Sequence, residues 1–262
     1  SETRQHLEQW LTEEEPQALQ PALHWPLDAL EDGTTPDTAQ PESPAKTELA
    51  PQITEGIRGN SIMLSGDNAV YSDSLPVFER TDPFSIALWL KVPQHRERMV
   101  VLHRSKAALD AASRGYELLL LDGKPTVSLV HFWPGDAIRV QANEALPTDE
   151  WVHFAFTYDG SSRAEGLRLF VNGAAQETGV IRDGLTRTIT YEGDEPPFTL
   201  GARFRDNGFI DSKADEVYVF DYEASNLEIR ALANLSSIER EVRQARQEDE
   251  KSLLAEHALL RH

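Results

Sequence analysis

The chain has 262 residues with a formal net charge of −19 at pH 7, 40% hydrophobic residues and no cysteine. This length and apolar content allow a sizeable core in one large domain or two small ones. The acid excess argues against a nucleic-acid partner or an anionic membrane surface, and the lack of cysteine excludes disulfides, Cys-ligated zinc and c-type haem attachment within the chain. No apolar run is long enough to span a membrane, and the polar residues 1–6 do not resemble a signal peptide.

Helical patterns stand at the two ends of the chain. Apolar residues at helical spacing over 2–14 predict a helix that Pro16 closes, so we expect residues 1–20 to form an N-terminal helical segment. Residues 225–262 carry Leu and Ile at helical spacing among dense mixed charge, which predicts a C-terminal helical extension. Because this pattern reaches the last residue without a stop signal, we expect the chain to be cut from a longer polypeptide.

The segment between residues 21 and 52 precedes the main strand pattern. Residues 22–28 predict an edge strand, since Pro26 cannot donate a hydrogen bond to a central ladder. Residues 31–52 are rich in Pro, Thr, Glu and Asp, and this composition predicts a long, partly mobile loop.

A strand pattern with a period of two runs from residue 53 to residue 220. Its strongest segment is 84–92, in which a fully apolar face alternates with a face that still carries Ala87 and Trp89. Both faces are therefore expected to be covered, which places this strand in the middle of a sheet packed against a second sheet. Strong hairpin signals separate later strands at Asp122-Gly123, Asp159-Gly160 and Asn172-Gly173. Ten to twelve such short strands without βαβ alternation predict that residues 21–224 form one all-β sandwich.

Five segments carry a recognisable family pattern. In chain order they are Phe84–Trp89, Trp151–Gly160, Leu167–Gly173, Phe198–Gly201 and Asp215–Phe220. Together they resemble the strands and turns of laminin-G-like, concanavalin A-like jelly rolls, over residues 55–235. The resemblance implies an antiparallel β-sandwich jelly roll, here flanked by N- and C-terminal helices.

Four further segments are similar to one subgroup of these jelly rolls. They are His103–Ser105, Arg114–Leu118, His131–Val140 and Gly201–Asp206. The subgroup is embedded in large planctomycete-type proteins, between their cytochrome-c-like and DUF1549 segments and their DUF1553 (PSD1) segment. The resemblance implies an exported parent protein that acts on polysaccharide outside the cytoplasm. Since Cys-x-x-Cys-His is missing from this chain, any haem would belong to the rest of the parent.

Catalysis by paired carboxylates is not predicted. Glycosidases on this fold carry a Glu-x-Asp-x-Glu strand, which places two carboxylates on one face. The nearest segments here are Glu192–Glu195 and Asp221–Glu223, and neither has that spacing. No Ser/His/Asp arrangement or phosphate-binding glycine loop is apparent either, so we expect this chain not to be an enzyme.

One structural Ca²⁺ is expected, because the resemblance implies a site of carboxylate and backbone oxygens, which suit a hard cation. Asp215 matches the family position that supplies a ligand side chain, and Asp28 and Asp67 are further candidates. The alternative is that Asp215 only caps a strand or accepts backbone N–H groups.

Aromatic and basic residues of the subgroup segments form the candidate ligand site, which comprises His103, Arg104, His131, Trp133, Arg139, Arg203 and Arg205. Sugar recognition needs a flat aromatic surface and polar groups for the hydroxyls, and a basic patch on so acidic a chain would suit an anionic sugar. The alternative is structural: Trp133 would be a core aromatic, and the last two arginines would pair with Asp206 or Asp136.

The sequence thus favours a non-catalytic, carbohydrate-binding module of a larger exported protein. Its expected partners are a polysaccharide or glycan and the other domains of the parent. The principal alternative is a structural or protein-interaction module without a glycan ligand, and a glycan-active enzyme ranks third.

Overall fold

The computed structural model describes residues 19–107 and 113–234. Within them the chain forms two antiparallel β-sheets of eight and nine strands that pack face to face, which confirms the predicted all-β jelly-roll sandwich. The predicted N-terminal helix lies outside the described residues, and so does most of the C-terminal extension. Its described part, helix α1, occupies residues 226–234. No helix among the described residues has the length and apolar character needed to cross a membrane.

The strands are short and follow one another with few other elements. In chain order they are β1 (Leu23–Trp25), β2 (Thr34–Thr35), β3 (Ala45–Glu48), β4 (Gln52–Glu55), β5 (Asn60–Ser65), β6 (Ala69–Ser72), β7 (Phe84–Lys91), β8 (Met99–Arg104), β9 (Gly115–Leu121), β10 (Lys124–Phe132), β11 (Asp136–Ala142), β12 (Trp151–Tyr158), β13 (Leu167–Val171), β14 (Ala174–Ala175), β15 (Thr178–Asp183), β16 (Phe198–Gly201) and β17 (Ile210–Phe220). A 3-10 helix at Ala164–Gly166 precedes β13.

Strand β7 lies at the centre of the eight-stranded sheet. That sheet has the order β14-β13-β12-β7-β17-β5-β4, and β1 pairs separately with β17, as expected for an edge strand. Seven of the eight β7 residues are buried. One face packs on the nine-stranded sheet, and Ala87 on the other face packs with Phe170 and Phe220 against Ile229 and Leu232 of α1. Coverage on both sides, predicted from the alternation, is confirmed.

Two sequence predictions about local structure were wrong. Residues 31–52 are not one long loop, because β2 and β3 form there and β3 pairs with β6. Asp159-Gly160 leads into the 3-10 helix, whereas Asp122-Gly123 and Asn172-Gly173 do form two-residue hairpin turns, with positive φ at all four residues. Strand β15 was not predicted.

The nine-stranded sheet has the order β15-β11-β10-β9-β8-β16-β6-β3-β2. Its inner face contributes Leu102, Leu118, Leu129 and Ile138 to the main core. Since side chains alternate between faces, their neighbours in the chain point to the outer face. One row of directly paired residues crosses this outer face, and it comprises Tyr71, Thr199, His103, Glu117, Ser128, Arg139 and Arg182.

Candidate functional site

Trp133 and Arg139 form a stacked pair on the outer face, near the β15 edge of the sheet. Trp133 follows β10 directly, and the guanidinium carbon of Arg139 lies 3.4 Å from the centroid of its ring. Arg139 is buried, and its Nε donates to Ser128 Oγ at 2.6 Å while Nη2 donates to Glu117 Oε1 at 2.6 Å. The Trp133 side chain itself is partly exposed. One face of the indole therefore rests on a buried, fixed cation, a favourable cation–π arrangement.

Glu117 connects two arginines from different strands. Its Oε1 accepts from Arg139, and its Oε2 accepts from Arg203 Nη1 at 2.6 Å. Burial alone would raise the pKa of Glu117, but the charges of Arg203 and Arg139 outweigh it and hold that pKa below its ordinary value. The carboxylate is therefore ionised at neutral pH, and each of its oxygens has a charged partner.

Asp206 extends this connection to a third arginine. Arg98 donates to it through Nε at 2.7 Å and Nη2 at 2.9 Å, and Arg203 donates through Nε at 3.0 Å. Burial would raise the pKa of Asp206, but these hydrogen bonds and the two positive charges lower it to about 2. We call the five side chains of Arg98, Asp206, Arg203, Glu117 and Arg139 the Glu117 network. Its three cations and two anions carry one net positive charge.

The expected basic patch is therefore largely neutralised. Arg203 pairs with Asp206, as the structural alternative predicted. Arg205 does not pair with Asp136, whose carboxylate instead accepts from Arg187 and Thr186. The Arg205 side chain is exposed, with its guanidinium carbon 5.0 Å from the ring centroid of Phe204.

Two other predicted ligand residues have structural roles. His103 is buried, pairs through Nε2 with Ala202 O at 3.0 Å, and has its pKa lowered to about 4 by burial and by the charge of Arg203. Arg104 is buried and donates to three carbonyl oxygens, those of Pro196, Leu75 and Pro76. These contacts hold loops against the end of the sandwich and leave neither side chain open to a ligand.

The exposed surface around Trp133 is aromatic. His131 is partly exposed and pairs through Nδ1 with Thr188 O at 2.6 Å. Phe132, the neighbour of Trp133 in the chain, is 46% exposed and was missed as a candidate. Strict alternation along β10 would place Phe132 on the opposite face from Trp133. The β10–β11 register shifts between Val130 and Phe132, so strict alternation does not hold there.

A cleft of about 360 Å³ opens at the far end of the Glu117 network. Arg98 and Asp206 belong to its wall, which is completed by the turn at 65–67, by Arg96 and Glu97, and by residues 207, 208 and 210. The network thus runs from this cleft to the underside of Trp133.

Two of the three calcium candidates converge on the segment 56–60. Asp215 is buried, and its Oδ2 accepts from the N–H groups of Ile57 at 2.8 Å and Arg58 at 3.2 Å, as the alternative for this residue predicted. Asp28 Oδ1 accepts from the N–H of Asn60 at 2.7 Å. Asp67 lies beyond the other end of β5, about 17 Å away along the strand, and lines the cleft instead. It does not share this site.

The surroundings of Asp215 fit a cation. Its Oδ1 is buried without a hydrogen-bond partner among the described residues. Burial raises the pKa of Asp215 to about 8. The negative charges of Glu216 and Asp28 also raise this pKa, whereas the two N–H donors lower it. Within residues 19–107 and 113–234 no group of three or more His, Asp or Glu side chains is arranged to hold a metal. Backbone oxygens would therefore have to complete the coordination, which a hard cation accepts.

Residues 64–230 match the family profile Laminin_G_3, described as the Concanavalin A-like lectin/glucanases superfamily. The chain belongs to this superfamily. No curated protein matches it.

Several solved structures share the superfamily fold at low identity. The binding domain of botulinum neurotoxin serotype G has a TM-score of 0.60 and 12% identity, and the binding domain of Paraclostridial Mosquitocidal Protein 1 has 0.58 and 15%. The matches cover 83% and 82% of this chain, which spans about half of those two chains, 51% and 52%. Domain 4 of AbnA, a GH43 extracellular arabinanase from Geobacillus stearothermophilus, solved in complex with arabinotriose, has 0.55 and 17% over 82% of this chain and 98% of its own.

The two acidic segments closest in sequence to the Glu-x-Asp-x-Glu motif form separate structural contacts. Asp194 pairs with Lys106, and Glu195 Oε1 accepts from the N–H of Tyr191 at 2.5 Å. Glu223 pairs with Arg168 on the eight-stranded sheet. These carboxylates belong to separate contacts rather than to one strand face.

Proposed function

We propose that this domain binds carbohydrate without catalysis, on the outer face of the nine-stranded sheet around Trp133. The observation that carries the proposal is the stack of the partly exposed Trp133 ring on the buried Arg139 guanidinium. A flat aromatic surface packs well against the C–H face of a sugar, and the fixed stack below it removes the ordering cost of a free side chain.

The rim of this surface supplies the other requirements of a sugar site. Phe132 adds exposed apolar area, and His131 places a polar group beside it. The AbnA domain, which shares the fold and was solved with arabinotriose, supports the assignment. Partial exposure of Trp133 favours it over the alternative in which this residue is a core aromatic.

A binding screen against neutral and anionic polysaccharides tests the proposal. Trp133→Ala should weaken binding at least about tenfold, a loss of about 1.4 kcal/mol. Trp151→Ala is the matched control, because Trp151 is also partly exposed but begins β12 in the other sheet. Equal binding by wild type and Trp133→Ala, or silence across the panel, would reject the glycan site.

A protein-interaction module is the second candidate, and one observation favours it. Strand β15 is an exposed edge of the nine-stranded sheet, and Val180 and Ile181 on it are largely solvent-exposed. Exposed edge strands with apolar side chains pair readily with another strand. If the polysaccharide screen is silent, crosslinking from β15 to the parent protein's other domains becomes the deciding measurement.

We also propose one structural Ca²⁺ held by Asp215, Asp28 and backbone oxygens of residues 56–60. The unpartnered Asp215 Oδ1 supports it. The cation would offset buried negative charge and fix the 56–60 segment against β17. Calcium should raise the melting temperature of the wild type and leave Asp215→Asn unchanged, whereas Asp67→Asn should respond like the wild type. If neither calcium nor a chelator changed the melting temperature of the wild type, this site would be rejected.

We further propose that the chain is the jelly-roll module of an exported planctomycete-type parent with DUF1549 and DUF1553 (PSD1) segments. The subgroup segments support this, because they contain Trp133, Arg139, Arg203 and Glu117, and the similarity to a domain of an extracellular arabinanase agrees with export. Immunodetection of the parent in fractionated native cells tests it, and recovery only in the cytoplasm would reject export.

A further inference from the structure

We infer that Glu117 is a positioning residue that makes the outer face select neutral glycans over anionic ones. The inference rests on the proposed carbohydrate-binding function and assigns the ligand class of the same site. It reverses the expectation of an anionic sugar, which counted the arginines of this face without their partners.

The geometry shows why the arginines are not available to an anion. Glu117 is buried in the row of outer-face residues, and its two oxygens each lie 2.6 Å from a guanidinium nitrogen, one of Arg139 and one of Arg203. Arg203 and Arg98 share Asp206 in the same way. A ligand carboxylate would have to compete with these short, buried, charge-assisted contacts, which are already formed.

The position of Trp133 depends on the same carboxylate. Arg139 lies beneath the ring because Ser128 and Glu117 accept hydrogen bonds from its Nε and Nη2 and so fix one edge of the guanidinium. Glu117 is buried, so its carboxylate is not exposed to a ligand on this face. Glu117 acts through Arg139 in two ways. It fixes the guanidinium on which the Trp133 ring rests, and its negative charge offsets the positive charge of that guanidinium.

Other charged groups near Trp133 do not restore a strong cationic site. Arg187 pairs with Asp136. Arg182 is exposed and donates to Pro134 O at 2.7 Å, so solvent and salt screen its charge. The chain as a whole has a net charge of −19, which disfavours an approaching polyanion.

The first test needs no glycan. Quenching of Trp133 fluorescence is taken as the difference between the wild type and Trp133→Phe, with iodide as an anionic probe and acrylamide as a neutral one. Glu117→Gln should raise the ratio of the iodide quenching constant to the acrylamide quenching constant about twofold to threefold. This is the size expected when one positive charge near the ring loses its partner and attracts iodide across water. Arg139→Gln should lower the ratio, and Arg182→Gln should change it less than either.

The two network variants have opposite expected signs, so either one alone decides the question if the other fails to fold. Circular dichroism identifies a variant that does not fold. A ratio that stays constant in the folded network variants would overturn the role of Glu117, as would a larger change in Arg182→Gln.

The second test compares two trisaccharides of opposite class, arabinotriose and trigalacturonate, by titration calorimetry. The wild type should bind arabinotriose more tightly, and Glu117→Gln should shift the ratio of the two dissociation constants toward trigalacturonate by at least twofold. A wild type that prefers trigalacturonate overturns the inference while leaving carbohydrate binding intact. A wild type that binds neither sugar counts against the proposed function, and the quenching ratio still decides what Glu117 does.

Discussion

Arg139 supports Trp133 from below although the two residues belong to different parts of one hairpin. The guanidinium carbon lies 3.4 Å from the indole centroid, and the fixed geometry comes from Ser128 on the neighbouring strand and Glu117 on the strand after that. The exposed aromatic surface is thus set by buried polar contacts spread over three strands.

Replacing Arg139 by Lys should therefore weaken glycan binding although the charge is kept. A lysine cannot reproduce the planar contact with the Trp133 ring while also reaching both Ser128 and Glu117. We expect about tenfold weaker binding in the polysaccharide screen. Arg182→Lys is the matched control, since Arg182 is exposed and lies beside the same turn. Comparable losses in both variants would contradict the special role of the stack.

Glu117→Gln should cost stability because it leaves buried guanidinium charge uncompensated. Breaking a buried ion pair by removing one partner destabilises a protein by about 3–5 kcal/mol. Urea unfolding measures this loss, and Asp73→Asn provides the comparison, because the Lys46–Asp73 pair is exposed and should contribute at most about 1 kcal/mol. Similar losses in the two variants would mean that the network is open to water.

Stability should fall as the pH decreases from about 6.5 to about 4. Burial lowers the pKa of His103 and of His153 to about 4, and in His103 the charge of Arg203 adds to the effect. Between these pH values each unfolded histidine binds a proton that the buried one does not, which favours unfolding by on the order of 3 kcal/mol per histidine. Asp215, whose pKa burial raises to about 8, is protonated in the folded chain over the same range, so it offsets the contribution of about one of the two histidines. Urea unfolding at pH 7, 6 and 5 measures this slope.

His153→Gln isolates one of the two contributions. Its stability should depend less steeply on pH than that of the wild type over the same range. A wild-type stability that stays flat between pH 7 and 5 would show that the two imidazoles are not held neutral by burial.

Gly59→Ala should damage the calcium candidate site more than an ordinary turn substitution does. Gly59 has φ +67°, and a Cβ there would lie 2.1 Å from Asp28 Oδ1. Gly33→Ala is the control, since Gly33 has φ +78° with nothing within 4 Å of the added atom. Both variants strain the backbone, but only Gly59→Ala should lose the calcium-dependent rise in melting temperature. An undiminished rise in Gly59→Ala would place the cation elsewhere.

The sequence predicts best what depends on neighbours in the chain. Strand β7 shows its alternation within eight residues, and Asn172-Gly173 specifies a tight turn by itself. Strands β2, β3 and β15 have short or exposed segments without a clear apolar face, and what defines them is pairing with strands elsewhere in the chain. Composition therefore indicated a loop for residues 31–52.

The candidate site was predicted only in part for a related reason. Trp133 and Arg139 were identified because aromatic and basic residues suggest a sugar site. Glu117 was missed, since a single acid in an apolar strand looks like an ordinary solvent-facing position. Its partners lie 22 and 86 residues away in the chain, and only the sheet brings them together.

The row from Tyr71 to Arg182 crosses seven strands at right angles to their direction. A slip of one residue in any of these strands would turn its member of the row into the core. The proposed binding surface thus requires the native alignment of β9, β10 and β11, because Glu117, Ser128 and Arg139 come from these three strands. Sugar binding would therefore report on correct strand alignment. A bound sugar would also stabilise the native register of these strands relative to registers shifted by one residue.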